Sequence, residues 1–571
     1  MQKELNLAVF VEQAEYINHA DFNRWVVEHP REESIIKKLI SPGAKLITGP
    51  RGCGKTTLLL KSLYEAPEKN VLAVYVNFKT SLKMEPLYRK NANAPYWFLQ
   101  WMLLKVYDGL FNSLEITGTE DSSKHLSVTR SEIKKTIRFI EDGLVERVLD
   151  NNTVSIDTLQ NELDDITRVN DFSRCVLLLD DAAHAFSPEQ QEDFFDFFRK
   201  IKSRNISPKA AIYPGVTAFS PSFHIGHDAE EISAWLNPTK ENYQSFMRRL
   251  LQNRLPENVF EKLMAEEALL KLLIYAANGI PRYLLNMVNA IVFGDGGDDG
   301  DGSYAIGLQE IKINRKVTLQ AVEENSANVK DVYTSLKFKL PIYKDFIENG
   351  TRFFDRVIEI VKEYNKGGEI DRQATIIAIK TPIEAEVSKV LGFLEYAGLL
   401  CPVGDSKRGN KGVYDLFALS NSVIIERNVF FSARSINTQN YVAAFEAKPG
   451  HVYPRVTTET IFNSKEISSL FELSLPPCQK CKTPRINEDA KFCINCGSEL
   501  ASISIFEGIV NQDISVLLLT PRRIAAIKAN SKIRKIKDIL MDHDRRQLRS
   551  VPMIGRIWAK RIANYAEEQF A

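Results

Sequence analysis

The sequence predicts an α/β fold in which a parallel sheet carries a glycine-rich turn, followed by three smaller C-terminal units. Three observations predict it. Gly49-Pro50-Arg51-Gly52-Cys53-Gly54-Lys55-Thr56 follows the apolar pair Leu46-Ile47 and precedes Thr57-Leu58-Leu59-Leu60, so it reads strand, turn, helix. Cys175-Val176-Leu177-Leu178-Leu179-Asp180-Asp181 reads as a strand buried on both faces with two carboxylates at its C-terminal end, the edge where open α/β sheets hold ligands. Far downstream, Cys478, Cys481, Cys493 and Cys496 form two Cys-x-x-Cys pairs.

The first stretch matches G-x-x-x-x-G-K-S/T in the strand–helix setting that gives it meaning, a P-loop. Glycines let successive N–H groups face one concavity, and the helix N-terminus adds partial positive charge. Gly49 through Thr57 would cradle a nucleoside triphosphate, with Lys55 on the β- and γ-phosphates and the Thr56 hydroxyl on Mg²⁺. Asp180 is placed to hold Mg²⁺ through water and Asp181 to orient the attacking water, as in a Walker B strand.

The chain has 571 residues, which predicts roughly four domains. Lys and Arg number 74 against 73 Asp and Glu, so global charge names no partner. No apolar run is long enough to span a bilayer, and Met1-Gln2-Lys3-Glu4 opens no signal peptide, so the expected location is cytoplasmic. Disulfides are not expected there, and the clustered cysteines need another explanation.

In chain order, residues 34–40 suit a helix leading into the first strand, and Val71–Phe78 a buried second strand. Tyr96–Met102 reads as aromatic core inside a mostly helical region. After Asp181 come a Phe-rich helix and a strand over Ala210–Thr217, whose Thr217 reads either as a strand-end residue that senses the γ-phosphate or as a plain loop threonine. Phe246–Leu255 is a basic amphipathic helix, and Gly279-Ile280-Pro281-Arg282 opens another.

P-loop, Leu-Leu-Leu-Asp-Asp, a polar strand end and Gly-x-Pro-Arg come in the order found in AAA+ ATPases, which residues 20–335 resemble. The Gly-x-Pro-Arg form resembles the origin-recognition/initiator clade and the related STAND switch ATPases. The resemblance implies ATP as the nucleotide, a helical lid, Arg282 as sensor 2 on the γ-phosphate, and an Arg finger directed at a neighbouring subunit, Arg254 first and Arg249 second. Many relatives carry Glu where this chain has Asp181, and the shorter carboxylate suits a slow switch better than a motor. The Asp/Gly run 294–303 lacks the closing Glu of a calcium loop and reads as a surface loop.

Residues 1–335 are thus expected as the ATPase domain with its lid and 336–430 as a second unit. In the latter, Phe353–Tyr364, Asp371–Lys380 and Pro382–Tyr396 read as helices, followed by a hairpin with Lys407, Arg408 and Lys411 at its tip. Helices and a basic-tipped hairpin resemble a winged helix, with the helix after Pro382 in the recognition position and phosphate contacts from the wing. Residues 431–475 read as a connector. Within 476–503 the two Cys-x-x-Cys pairs, eleven residues apart, place four thiolates for one structural Zn²⁺, and the segment resembles a zinc ribbon. Residues 510–571 are basic: from Pro521 onward thirteen Lys/Arg face five Asp/Glu. Arg545–Ser550, the turn Val551-Pro552-Met553-Ile554-Gly555 and Arg556–Glu568 read as a helix-hairpin-helix, with Gly555 offering an amide and Arg556, Lys560 and Arg561 supplying charge to DNA phosphates. The wider segment resembles the C-terminal domain of the RNA polymerase alpha subunit.

Together these features point to an ATP-dependent switch that associates with DNA, assembled as a homo-oligomer or with a partner ATPase; any effector would be a separate chain. A STAND-type signalling ATPase whose C-terminal modules bind protein is the second reading. A translocating motor is disfavoured, because no helicase motif follows Asp181.

Overall fold

The computed structural model describes residues 14, 17, 19–90, 93–148, 153–181, 187–293, 313–409, 412–430, 437–447, 451–464, 466–485, 490, 492–498, 500, 505–517, 519, 521–542, 544–552 and 554–569. The Asp/Gly run 294–303 and Lys411 lie outside them.

Helices α1 (His19–Trp25) and α2 (Glu32–Ile40) lead into β1 (Lys45–Thr48), and the P-loop turns from β1 into α3 (Lys55–Glu65). Strand β2 (Leu72–Asn77) follows, then α4 (Glu85–Lys90), α5 (Ala94–Thr117), α6 (Arg130–Glu141) and α7 (Ile156–Val169). Next come β3 (Cys175–Asp180), α8 (Pro188–Lys200), β4 (Ile206–Ala211) and β5 (Glu230–Ser233). The sheet order is β2-β3-β4-β1-β5, and every pairing is parallel. Parallel strands need crossover connections, and helices laid on both faces bury the strands completely, as the six buried residues of β3 show. Alternation sorts them: Leu177 and Leu179 join the core of α5 and α8 with Phe98, Trp101 and Phe194, while Val176 and Leu178 join Leu58 and Leu59 of α3. The aromatic stretch in α5 is core in part: Phe98, Trp101 and Met102 are buried, while Tyr96 is exposed.

The order also places β4 between the P-loop strand and the Asp180 strand. Its C-terminal exit therefore falls between the loop and the carboxylates.

A helical layer follows: α9 (Tyr243–Arg254), α10 (Glu257–Ala265), α11 (Glu267–Ala276), α12 (Pro281–Phe293) and α13 (Arg315–Lys339). The next unit comprises α14 (Lys344–Asn365), β6 (Ile376–Lys380), α15 (Ala385–Ala397), the hairpin β7 (Leu400–Lys407) and β8 (Val413–Leu419), and α16 (Asn421–Glu426). Of the helix expected over Asp371–Lys380, the second half, Ile376–Lys380, is instead β6. Ile376, Ile377 and Ile379 favour an extended chain, and antiparallel pairing with β8 settles it.

The stretch 431–475, expected as a connector, holds α17 (Thr438–Ala447), β9 (Arg455–Val456) and α18 (Thr458–Phe462). β9 joins the second sheet beside β6, giving the order β7-β8-β6-β9, and α17 buries Phe445 against Tyr275, ring centroids 5.3 Å apart. The tail forms α19 (Ile505–Val510), α20 (Pro521–Asn530), α21 (Ile536–Leu540), α22 (Arg546–Arg549) and α23 (Arg556–Glu568). No helix among the described residues is long and apolar enough to cross a membrane.

Candidate functional site

Gly52 and Gly54 take φ of 85° and 103°, the left-handed region that favours glycine. A Cβ on Gly52 would lie 2.9 Å from Arg282 Cβ, so only glycine lets α12 seat its first turn on the loop. At Gly54 a Cβ meets nothing within 4 Å, and no side chain caps α3. The space over the start of that helix is open, with its first-turn amides directed at it. Thr56 and Thr57 lie in this first turn.

Lys55 is buried, its Nζ donating to Gly49 O at 2.7 Å and Pro50 O at 3.3 Å, and lying 3.8 Å from the centre of the Tyr213 ring. Burial pushes its pKa down, opposed by Cys53, Asp180, Asp181 and Glu395. The Cys53 thiol lies buried inside the loop, its pKa raised by that burial.

Asp180 ends β3. Its Oδ2 accepts the Tyr75 hydroxyl at 2.8 Å, and its Oδ1 accepts the Asp181 amide at 3.0 Å. Asp181 turns out of the strand at φ 53°, an uncommon conformation for a side-chain-bearing residue. Its Oδ2 accepts from Asn77 Nδ2 at 3.2 Å. Tyr75 and Asn77 occupy alternate positions at the C-terminal end of β2, and Asn77 is in register with Asp180. Sequence reasoning missed both. The available signal was two polar side chains at i and i+2 in an otherwise apolar strand.

Thr217 requires a correction. Strand β4 ends at Ala211, and Thr217 sits in the following turn, its Oγ1 accepting the Tyr213 amide at 3.0 Å. The residue that lies against Lys55 is Tyr213, two residues beyond the end of β4. Arg282, the second residue of α12, lies against Gly52 of the loop. Arg254 ends α9 with its guanidinium 5.9 Å from the Trp25 ring centre, whereas Arg249 is exposed.

The four clustered cysteines converge. Their sulfurs all lie within 4.8 Å of one another, with Cys478–Cys496 at 3.6 Å and Cys481–Cys493 at 3.4 Å. Zn–S bonds of about 2.3 Å in a tetrahedron put sulfurs about 3.8 Å apart, so the set fits zinc. The two knuckles repeat one backbone pattern: Lys482 N donates to Cys478 O and Gly497 N to Cys493 O, both at 2.9 Å. Lys482 and Gly497 take φ of 61° and 65° at matching places.

In the tail, Arg561 was expected to face DNA. It is buried, its guanidinium 5.1 Å from the Trp558 ring centre, with Arg523 at 3.4 Å from the same ring. Arg546, Arg549, Arg556 and Lys560 are exposed beside the turn, as are Lys407 and Arg408 on the hairpin. Helix α15, in the recognition position, exposes Ala385 and Ser388 and buries the apolar side that ends in Tyr396 and Ala397.

No protein-family profile matches the chain, and no curated protein matches it. Among solved structures it is similar to the ORC1 protein of Aeropyrum pernix in complex with DNA, at 15% identity and a TM-score of 0.27, covering 71% of this chain and 92% of that one. It is also similar to the ORC2 protein of the same organism, at 13% identity and 0.33, covering 78% and 98%. For CDC6P of Pyrobaculum aerophilum the values are 13% and 0.27, covering 72% and 98%.

Proposed function

We propose that the chain is an ATP-binding and ATP-hydrolysing switch of the AAA+ type that associates with DNA. One observation carries the nucleotide reading. Three stretches far apart in sequence meet at one open helix start: Gly52 seats Arg282, and buried Lys55 lies under the charges of Asp180 and Asp181.

The amides of Gly52–Thr57 and Lys55 Nζ hold the phosphates, and Arg282 reaches the γ-phosphate from α12. Thr56 and Asp180 hold Mg²⁺, which neutralises phosphate charge. Asp181, oriented by Asn77, positions the attacking water. Arg249, exposed on α9, suits a finger towards a second subunit better than Arg254, which lies against Trp25. Cys478, Cys481, Cys493 and Cys496 close a structural Zn²⁺ site. The exposed cations beside the tail turn and on the hairpin hold DNA through its backbone, without base reading.

The test has two arms. Lys55→Ala should abolish binding of a fluorescent ATP analogue, and retained affinity would remove the P-loop reading. Gel shifts of the full chain should show DNA binding that weakens steeply with salt and is reduced by Arg556→Ala with Lys560→Ala. Absence of any shift at low salt with ATP present would sink the DNA part and leave the ATPase standing.

A further inference from the structure

An α-helix leaves its last carbonyls without partners inside the helix. At the end of α15, the Gly398 amide closes onto Leu394 O and Glu395 O, which leaves the next three carbonyls to be satisfied elsewhere. All three are taken by the nucleotide site. Tyr396 O accepts the amide of Arg51 in the P-loop at 2.9 Å. Ala397 O accepts the hydroxyl of Tyr283, beside Arg282 in α12, at 2.8 Å. Gly398 O accepts Asn278 Nδ2, from the turn before α12, at 3.4 Å.

Packing is as close as the bonding. A Cβ on Gly392 would lie 2.6 Å from Gly215 Cα, so helix backbone meets the turn after β4 with no room for a side chain. The Tyr396 ring lies 5.3 Å from Tyr213, whose ring in turn covers Lys55. Two residues later the chain enters β7, the first strand of the Lys407–Arg408 hairpin.

We propose that the C-terminal end of α15 is a clamp coupling nucleotide occupancy to the position of the β7–β8 hairpin. The inference rests on the nucleotide reading above. The three bonds hold only while the P-loop and α12 keep their present spacing. A triphosphate that draws Lys55 off the Gly49 and Pro50 carbonyls and pulls Arg282 inward changes that spacing, so the clamp loosens and the hairpin is released. Coupling of this kind is reciprocal, so whatever holds the released hairpin tightens nucleotide binding by the same factor.

Hydrogen exchange of the full chain, with and without the non-hydrolysable analogue AMPPNP and Mg²⁺, tests it. The expected result is protection of residues 49–57 together with exchange at residues 399–408 faster by about threefold or more. Protection of the loop with unchanged or slower exchange at 399–408 overturns the clamp while the nucleotide reading survives. Absence of protection and of analogue binding overturns both. Tyr283→Phe removes one of the three bonds and leaves the packing in place. It should speed exchange at 399–408 without nucleotide and shrink the AMPPNP response. Exchange there identical to wild type in both states also overturns the clamp.

Discussion

Asn77 holds the carboxylate of Asp181 from the neighbouring strand, at 3.2 Å, while the Asp181 backbone sits in the left-handed region. A carboxylate projected from so constrained a backbone gains direction from that amide. Asn77→Ala should therefore leave ATP affinity within about twofold and lower turnover by about tenfold, because positioning is lost while binding is not. Analogue titration beside steady-state hydrolysis separates the two, and equal loss in both would reduce Asn77 to a binding group. Glu395 belongs to the same neighbourhood. Burial is the main cause that lifts its carboxyl from the ordinary 4.5 to about 7, with Lys55 pulling it down and Glu231 adding to the rise. A raised acid favours the folded state while protonated, so its contribution is complete below pH 4.5 and is lost as pH climbs through 7. Each tenfold change in proton affinity between the folded and unfolded chain corresponds to about 1.4 kcal/mol. Glu395→Gln stays neutral throughout. Its unfolding midpoint should match wild type at about pH 5 and exceed it at about pH 8, and parallel profiles would contradict the assignment. At this scale the sequence showed what is contiguous: the P-loop, the paired carboxylates and Arg282 each sit within short motifs. Tyr213 and Glu395 were illegible because each acts across strands or helices that only the folded sheet brings side by side, whereas Asn77 left a faint signal beside Tyr75 in an otherwise apolar strand.

Among the elements, the cysteine knuckles were the most legible, since ligand spacing alone dictates how four sulfurs meet. Their paired backbone pattern implies that each knuckle is half of one centre, with little apolar core of its own: Phe492 and Ile494 beside it are exposed. Without metal such a segment has little to hold it. The full chain should carry one zinc, and chelation or Cys493→Ser should expose residues 476–498 to protease while ATP analogue binding persists. Zinc-free protein with that segment still resistant would remove the metal site. Strand β6 shows the opposite case. Asp371–Lys380 carries a helix-compatible spacing, yet Ile376, Ile377 and Ile379 go to a sheet because β8 offers a ladder with no sequence proximity to announce it. Thr217 was misplaced for a related reason, since β4 begins earlier than its apolar run and leaves the threonine to close a turn. Arg561 looked like a surface cation because charge is visible in sequence, whereas its burial beside Trp558, three residues away on the same helix, is not.

Across the whole molecule, the units that the sequence separated at residue 335 share one core. A single buried cluster includes Leu58 of α3, Ile280 and Tyr283 beside the loop, Val390 and Tyr396 of α15, Phe445 of α17 and Ile562 of α23. The contact between Gly215 and Gly392 is backbone against backbone, a closeness typical of interiors and unlike the wetter boundaries between independent domains. Asn421 Nδ2 adds a buried bond to Tyr275 O at 2.9 Å, tying α16 to α11. Cutting the chain after residue 335 would leave Ile280, Tyr283, Tyr275 and Tyr213 facing water where Gly398, Ala397, Phe445 and Tyr396 now cover them. Exposed apolar area costs about 25 cal/mol per Å², and the uncovered aromatic residues alone put that cost at several kcal/mol, a large share of ordinary domain stability. Residues 1–335 should accordingly express as aggregate or bind a hydrophobic dye strongly, whereas 1–475, which keeps α15, α16 and α17, should bind markedly less dye than 1–335 and bind the ATP analogue as the full chain does. Size-exclusion chromatography and dye binding on the two truncations decide it. A well-folded 1–335 with unaltered nucleotide affinity would show that the second unit rests on the ATPase without supporting it.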